Sequence, residues 1–391
     1  MRDKTLAESG EEIVNTTCAS HCGGSCILKL HVKDGVITRI ETDDGEEPQF
    51  RACLRGRAQR QKIYSPDRLL YPLKRVGVRG EGKFERISWD EALDTVASEW
   101  LRVSNKYGPA SIVFDSVGGD IAFLHTSGRV TRLIQKFGGC TRCWGNPSFQ
   151  GMIVAVNVTY GSPYTGTTRN DLPNSRLIIM WGWDPASTVS GVTTCSYLAQ
   201  AHEQGTKIIS IDPRYTDTAA LFADQWIPIR PSSDTALALA LAYVLITKNL
   251  YDRHFIDTYT MGFNKFKDYI LGKKDGVAKT PAWAETITGV PSTTIENLAV
   301  EYASTKPAAL MSGAGTGRTA YGEQYHRATM TLQAMTGNVG VHGGEAGAVA
   351  WHSIFGGFPY NIRWYDDLGN RIQERDAEPY KERTIDYMEN S

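Results

Sequence analysis

Apolar residues change their period along this chain, and each change marks an element. Ile27, Leu28, Leu30 and Val32 precede Asp34-Gly35, and Val36, Ile37 and Ile40 follow. Two apolar segments around Asp-Gly predict a β-hairpin, because that pair supplies the positive φ angles a tight turn needs. From Ser88 the period becomes helical: Leu93, Val96, Ala97, Trp100 and Leu101 share one face, and Ser88 with Glu91 has the spacing of a capping box. Ile112–Phe114 then reads as a short buried strand, ending at Ser116-Val117-Gly118-Gly119-Asp120 before a helical stretch to Phe137.

From Arg176 the alternation repeats. Strand Leu177–Trp181 is followed by a helix near Val192–Glu203, strand Lys207–Ile211, a strand near Gln225–Ile229 and a helix from Asp234. A last strand, Ala308–Ser312, runs into Gly313, Gly315 and Gly317, and a helix follows up to Thr336. Strands alternating with helices predict parallel sheets with helices on their faces. The expected fold class is therefore α/β: a small β-rich N-terminal domain and two Rossmann-like α/β domains with mainly parallel sheets.

Length and charge narrow the function classes. A chain of 391 residues can bury two or three cores. Lysine plus arginine number 42 against 43 aspartate plus glutamate, so no overall field points to nucleic acid or to an acidic membrane surface. The longest apolar run, Ala236–Ile246, is too short to span a bilayer. Met1–Ile13 carries neither a hydrophobic signal core nor a twin-arginine pair, so the chain as written is expected in the cytoplasm.

The chemistry starts with sulfur. Cys18-x(3)-Cys22-x(3)-Cys26 is followed after the hairpin by Cys53-Leu54-Arg55-Gly56-Arg57. Four thiolates suit either tetrahedral zinc or a cubane iron-sulfur cluster, since both are soft centres. Three close cysteines plus a distant fourth favour a [4Fe-4S] cluster, because structural zinc usually takes its cysteines in two tight pairs. A disulfide framework belongs to small secreted domains and does not suit this chain.

Ligands of open α/β sheets bind beyond the carboxyl ends of the strands. The loops there are Trp181-Gly182-Trp183-Asp184-Pro185, Ile211-Asp212-Pro213-Arg214, Arg230-Pro231-Ser232-Ser233-Asp234, Ser312-Gly313-Ala314-Gly315-Thr316-Gly317-Arg318 and Thr336-Gly337-Asn338-Val339-Gly340. Glycines let backbone amides approach phosphate, and an Asp just past a strand can accept from a ribose or a guanine edge. Neither Gly-x-Gly-x-x-Gly nor a Walker A sequence occurs, so ordinary dinucleotide or ATP binding is not supported.

The cysteine spacing with Arg55, these loops, and the stretches Arg51–Arg57, Pro66–Arg68, Pro72–Trp89, Ile211–Thr218 and Gly276–Pro281 together resemble a known family. It is that of the molybdenum bis(guanylyl molybdopterin) oxidoreductases, specifically the catalytic subunit of membrane-anchored dimethyl sulfoxide reductases. The resemblance runs from about Thr17 to Gly347. It implies that Cys18, Cys22, Cys26 and Cys53 hold a [4Fe-4S] cluster, with Arg55 between the cluster and the nearer pterin. Trp181, Gly182, Trp183, Asp184, Pro185, Asp212, Arg214 and Asp234 would line one guanylyl pterin. Gly313, Gly315, Gly317, Arg318, Thr336, Gly337 and Asn338 would face the other. Counting back from Tyr160-Gly161 places the molybdenum (or tungsten) ligand at Ser148, with Cys143 as the rival, and Trp144 and His125 would lie near substrate. A serine oxygen is a hard donor suited to high-valent molybdenum.

The resemblance also implies oxygen-atom transfer from a small oxo-substrate such as an S-oxide or N-oxide. Electrons would come from an iron-sulfur subunit, with or without a membrane anchor. The expected division is 1–66 for the cluster domain, 67–150 with 301–391 for the first α/β domain, and 151–300 for the second. Family members are much longer and end in a β-rich domain that closes over both pterins, so the chain reads as truncated before that domain. The competing expectation is a non-catalytic iron-sulfur electron-transfer or scaffold module, or an inactive fragment.

Overall fold

A computed structural model describes residues 10–18, 26–42, 52–114, 133–136, 138–142, 149–161, 165–188 and 193–347. Those up to 142 form one compact unit and those from 149 form another.

The first unit opens with an antiparallel sheet of β1 (Glu12–Thr17), β2 (Ile27–Lys33) and β3 (Val36–Thr42). The expected hairpin is there, turned by Asp34 at φ 51° and Gly35 at φ 76°. Strand β1 has no alternation to announce it, since only Ile13 and Val14 are apolar and they are adjacent. Its partner supplies the missing pattern, pairing Glu12 with Val32 through to Thr17 with Ile27. Short helices α1 (Leu54–Arg57) and α2 (Gln59–Ile63) follow, then a hairpin of β4 (Leu73–Arg75) and β5 (Phe84–Arg86). Helix α3 (Trp89–Tyr107) starts where the sequence predicts, and the Glu91 amide donates to Ser88 Oγ at 3.0 Å. Only half of the capping box forms, because the Glu91 carboxylate accepts from Lys74 Nζ instead. Strands β6 (Val113–Phe114) and β7 (Thr141–Arg142) pair in parallel.

The second unit is built on four strands: β8 (Leu177–Trp181), β9 (Lys207–Ile211), β10 (Gln225–Ile227) and β11 (Ala308–Ser312). All three pairings are parallel and the order is β10-β9-β8-β11. Every residue of β8 is buried, and its alternation divides the core. Leu177, Ile179 and Trp181 pack with α7 (Asp234–Thr247), α11 (Ser292–Ser304) and α12 (Glu323–Met335), while Ile178 and Met180 pack with Leu172 and with Leu198 and Ala201 of α5 (Thr194–Glu203). This two-faced coverage is what a parallel sheet requires.

Helix α7 holds the long apolar run Ala236–Ile246, and its burial on nearly all sides explains why that run carries no amphipathic stripe. No described helix is long and apolar enough to cross a membrane. Helix α4 (Gln150–Tyr160) packs on α12 through Met152, Val156 and Met330. Between β9 and β10 lies α6 (Asp217–Phe222), and α8 (Arg253–Tyr259), α9 (Phe263–Ile270) and α10 (Pro281–Thr288) complete the helical layer.

Two boundaries differ from the sequence reading. Strand β10 ends at Ile227, before Arg230-Pro231. The sequence groups 301–391 with 67–150, whereas β11 pairs with β8 from Ala308–Leu177 to Ser312–Trp181, so the described residues 308–347 share the unit of 151–300.

Candidate functional site

Three of the four expected cluster cysteines are described, and they gather at one end of the first sheet. Cys18 and Cys26 lie one residue beyond the paired ends of β1 and β2, joined by a Cys18 N–H donated to the Cys26 carbonyl at 2.8 Å. Cys53 is the residue that opens α1. The Ala52 amide before it donates to Thr42 Oγ1 at the end of β3, which brings the fourth cysteine back to the sheet. Within α1, Gly56 stands beside Cys18: a Cβ there would lie 3.7 Å from the Cys18 sulfur. Cys18 and Cys26 are buried and Cys53 is half-buried. Among the described residues no three His, Cys, Asp or Glu side chains already enclose a metal position, and Cys22, which would complete the set, lies outside them. Arg55 is exposed on α1.

The second candidate site follows from strand order. The chain proceeds from β8 outward through β9 to β10, then returns to place β11 on the other side of β8. The carboxyl ends of β8 and β11 are therefore a topological switch point, the place where open α/β sheets bind their ligands. Gly182 and Gly313, the residues following β8 and β11, meet there backbone to backbone. A Cβ on Gly313 would fall 1.6 Å from the Gly182 carbonyl oxygen, and one on Gly182, at φ 59°, would fall 2.8 Å from Thr316 Cγ2. Gly317 is pressed on the His326 ring, whereas a Cβ on Gly315 would meet nothing within 4 Å.

Beneath this crossing runs a buried polar chain. Trp181 donates its indole N–H to Asp234 Oδ1 at 2.8 Å, Tyr325 stands edge-on to Trp181 with centroids 5.3 Å apart, and the Tyr325 hydroxyl lies 3.2 Å from Ser312 Oγ. Burial pushes the Asp234 carboxyl up from its ordinary range, against the lowering effect of the indole donor. On the rim, Thr218 donates to Asp184 at 2.5 Å and Arg214 reaches the same carboxylate at 3.7 Å. Asp212 accepts from the Arg214 amide at 2.8 Å, and burial raises its carboxyl as well. Trp183 and Pro185 are buried, and the Arg169 guanidinium carbon lies 5.9 Å from the centre of the Trp183 ring.

The family patterns decide the class. Residues 11–65 match the molybdopterin oxidoreductase Fe4S4 domain, and residues 68–380 match molybdopterin oxidoreductase. The chain belongs to the molybdopterin oxidoreductase family. It is 44% identical over 368 residues to dimethyl sulfoxide reductase DmsA of Escherichia coli, covering 87% of this chain and 45% of that protein. A trimethylamine-N-oxide reductase of Haemophilus influenzae is 31% identical, covering 91% of this chain and 45% of that one. Among solved structures, acetylene hydratase from Pelobacter acetylenicus superposes with a TM-score of 0.68 at 27% identity, covering 84% of this chain and 44% of the other. The chain thus spans less than half the length of these relatives.

The two domains imply a [4Fe-4S] cluster and pterin-bound molybdenum. The residues of this molybdopterin oxidoreductase fit both. Cysteines from three segments share one sheet end, and soft sulfur donors are what such a cluster takes. At the switch point, the open Gly315 and the Arg214 guanidinium, 78% exposed, suit an anionic nucleotide. Arg318 is exposed on the same glycine loop.

Not every expected contact faces open space. Thr336 and Asn338 are buried: the Thr336 hydroxyl donates to the Leu332 carbonyl, and Asn338 ties the Ala308 amide to Thr336. A Cβ on Gly337 would strike Asp252. These three close the end of α12 and brace β11 from below. Ser148, Trp144, Cys143 and His125 lie outside the described residues, and α4 begins just after Ser148 with Gly151 against the Gly317 carbonyl. Sequence reading missed Thr218, Arg169 and Tyr325, whose contacts join segments distant in the chain.

Proposed function

We propose that this chain serves a molybdenum-dependent reductase that removes oxygen from a small S-oxide, N-oxide or similar oxo-substrate. The observation that carries the reading is the pairing of two sites on one chain: a gathering of cysteines at the end of β1 and β2, and a topological switch point between β8 and β11. Relatives named for dimethyl sulfoxide and for trimethylamine N-oxide support the substrate class. The overall change is XO + 2 H⁺ + 2 e⁻ → X + H₂O.

Bound molybdenum supplies the two-electron oxygen acceptor. Cys18, Cys22, Cys26 and Cys53 would hold the cluster, and Arg55 would serve as the relay from cluster to pterin. Ser148 would ligate the metal, and Trp144 would meet substrate. Asp184, Asp212, Arg214 and Asp234 would hold one guanylyl pterin, and the Gly313–Arg318 loop would hold the other. Electrons arrive from an iron-sulfur partner subunit, with or without a membrane anchor.

The test is turnover by the chain made anaerobically in a host that synthesises the pterin cofactor, with a reduced viologen as donor. S-oxides and N-oxides should oxidise the dye, and Ser148→Ala should abolish this while leaving the iron content unchanged. Full activity in Ser148→Ala would contradict the assigned ligand. A second reading, an iron-sulfur module without molybdenum, is favoured by one observation: Thr336 and Asn338 spend their side chains on internal hydrogen bonds. Iron without molybdenum and without turnover is its outcome.

A further inference from the structure

Glu345 has no part in the sites above, yet it is the most enclosed carboxyl group described. It is 2% exposed and sits where two loops meet. Both loops are bare of side chains at the contact: a Cβ on Gly166 would fall 2.8 Å from Glu345 Oε1, and one on Gly347 would fall 2.4 Å from it. The backbone amides of Thr167, Ala346 and Gly347 are directed at the carboxyl group. Such a ring of amides favours an anion, whereas complete removal from water favours the neutral acid.

The decisive partner is Thr167. Its Oγ1 lies 2.7 Å from Glu345 Oε2 and 3.1 Å from the Gly344 carbonyl oxygen. A hydroxyl has one proton and two lone pairs. When Glu345 is ionised, Thr167 donates to Oε2. When Glu345 is protonated, Thr167 donates to Gly344 and accepts the carboxyl proton. Both states are satisfied by rotating one hydrogen, with no heavy atom displaced.

The surroundings supply further polar atoms without a close partner. Tyr160 Oη, at the end of α4, and Gln333 Oε1, on α12, are buried and make no hydrogen bond. Gln333 lies at this site because its Nε2 donates to the Gly347 carbonyl at 3.0 Å. Tyr160 is within reach of the Glu345 charge, as are Tyr302 on α11 and Arg169. Buried orphan atoms of this kind are normally bridged by internal water.

We propose that Glu345 and Thr167 form an internal proton-exchange site, in which the carboxyl group alternates between acid and carboxylate against a hydroxyl that serves both states, with internal water held by Tyr160 and Gln333. The site joins the Thr167 loop to the chain leaving α12, and α4 connects it to the glycine loop at Gly151. Balanced burial and amide donors place the acid at about 7, raised by burial from 4.5.

The titratable groups facing it are Tyr160, Tyr302 and Arg169. Both tyrosines are pushed up by burial, to about 12 and further, and stay neutral. Burial lowers Arg169 to about 9, so it stays charged through neutral pH. Glu345 is thus the member of the group that changes charge between pH 4.5 and 7.

Because the folded value is raised, the stabilising state is the protonated one, present below pH 4.5 and lost as pH rises to about 7. The unfolding constant of the full chain should rise by up to about tenfold per pH unit across that window. Glu345→Gln, a neutral isostere, should fold at pH 5 with wild-type stability and lose this component of the pH dependence. An unchanged pH dependence in Glu345→Gln would overturn the proposal. So would a large loss of stability in that variant at pH 5, which would mark a fixed ion pair with Arg169. Infrared spectra of the wild-type chain keep the test open if the variant does not fold. A carbonyl stretch of a protonated carboxyl, present at pH 5, absent at pH 8 and shifted in Thr167→Val, supports the site, and absence of such a band at pH 5 rejects it. Neither readout depends on turnover.

Discussion

Gly313 illustrates how a residue can be found by sequence for one reason and prove indispensable for another. Its place after a strand suggested amides approaching a phosphate, but the structure shows a nearer constraint: any side chain would overlap the Gly182 carbonyl. Contacts between loops 131 residues apart in sequence leave no local signal, so the glycine was legible and its partner was not. Trp181 and Asp234 are a similar pair. Each was read as a cofactor contact, and each satisfies the other through a buried hydrogen bond. Trp181→Phe removes the donor and leaves a buried carboxyl oxygen without it, so it should cost about 1–3 kcal/mol in urea unfolding. Unchanged stability would mean that Asp234 finds another donor or turns to water.

Among the elements, strands with their own apolar run were legible and those borrowing a pattern were not. Strands β8, β9 and β11 read directly from Leu177–Trp181, Lys207–Ile211 and Ala308–Ser312. Strand β1 escaped notice because its stability comes from pairing with β2. Helix α7 was visible as an apolar run without a stripe, and such a helix belongs in the middle of a core. Leu237, fully buried in the cluster between β8 and the surrounding helices, is its clearest probe. Leu237→Ala should destabilise the second unit by about 2–5 kcal/mol, measured by urea unfolding followed through tryptophan fluorescence. A loss below about 1 kcal/mol would show that the core collapses around the gap.

For the molecule as a whole, alternation of strands and helices announced a parallel sheet, but strand order was beyond the pattern. That β11 returns to lie beside β8 depends on pairing across more than a hundred residues, and this return creates the switch point. The cysteine spacing was legible because four soft ligands at such intervals have few uses. The two domains together imply an iron-sulfur cluster and a pterin-bound metal on one chain. Elemental analysis for iron, molybdenum, tungsten and zinc, on protein made anaerobically in a host that produces the pterin, tests this most directly. About four irons and one molybdenum or tungsten per chain, and no zinc, are expected. Zinc in place of iron would contradict the cluster, and iron with neither molybdenum nor tungsten would contradict the reductase.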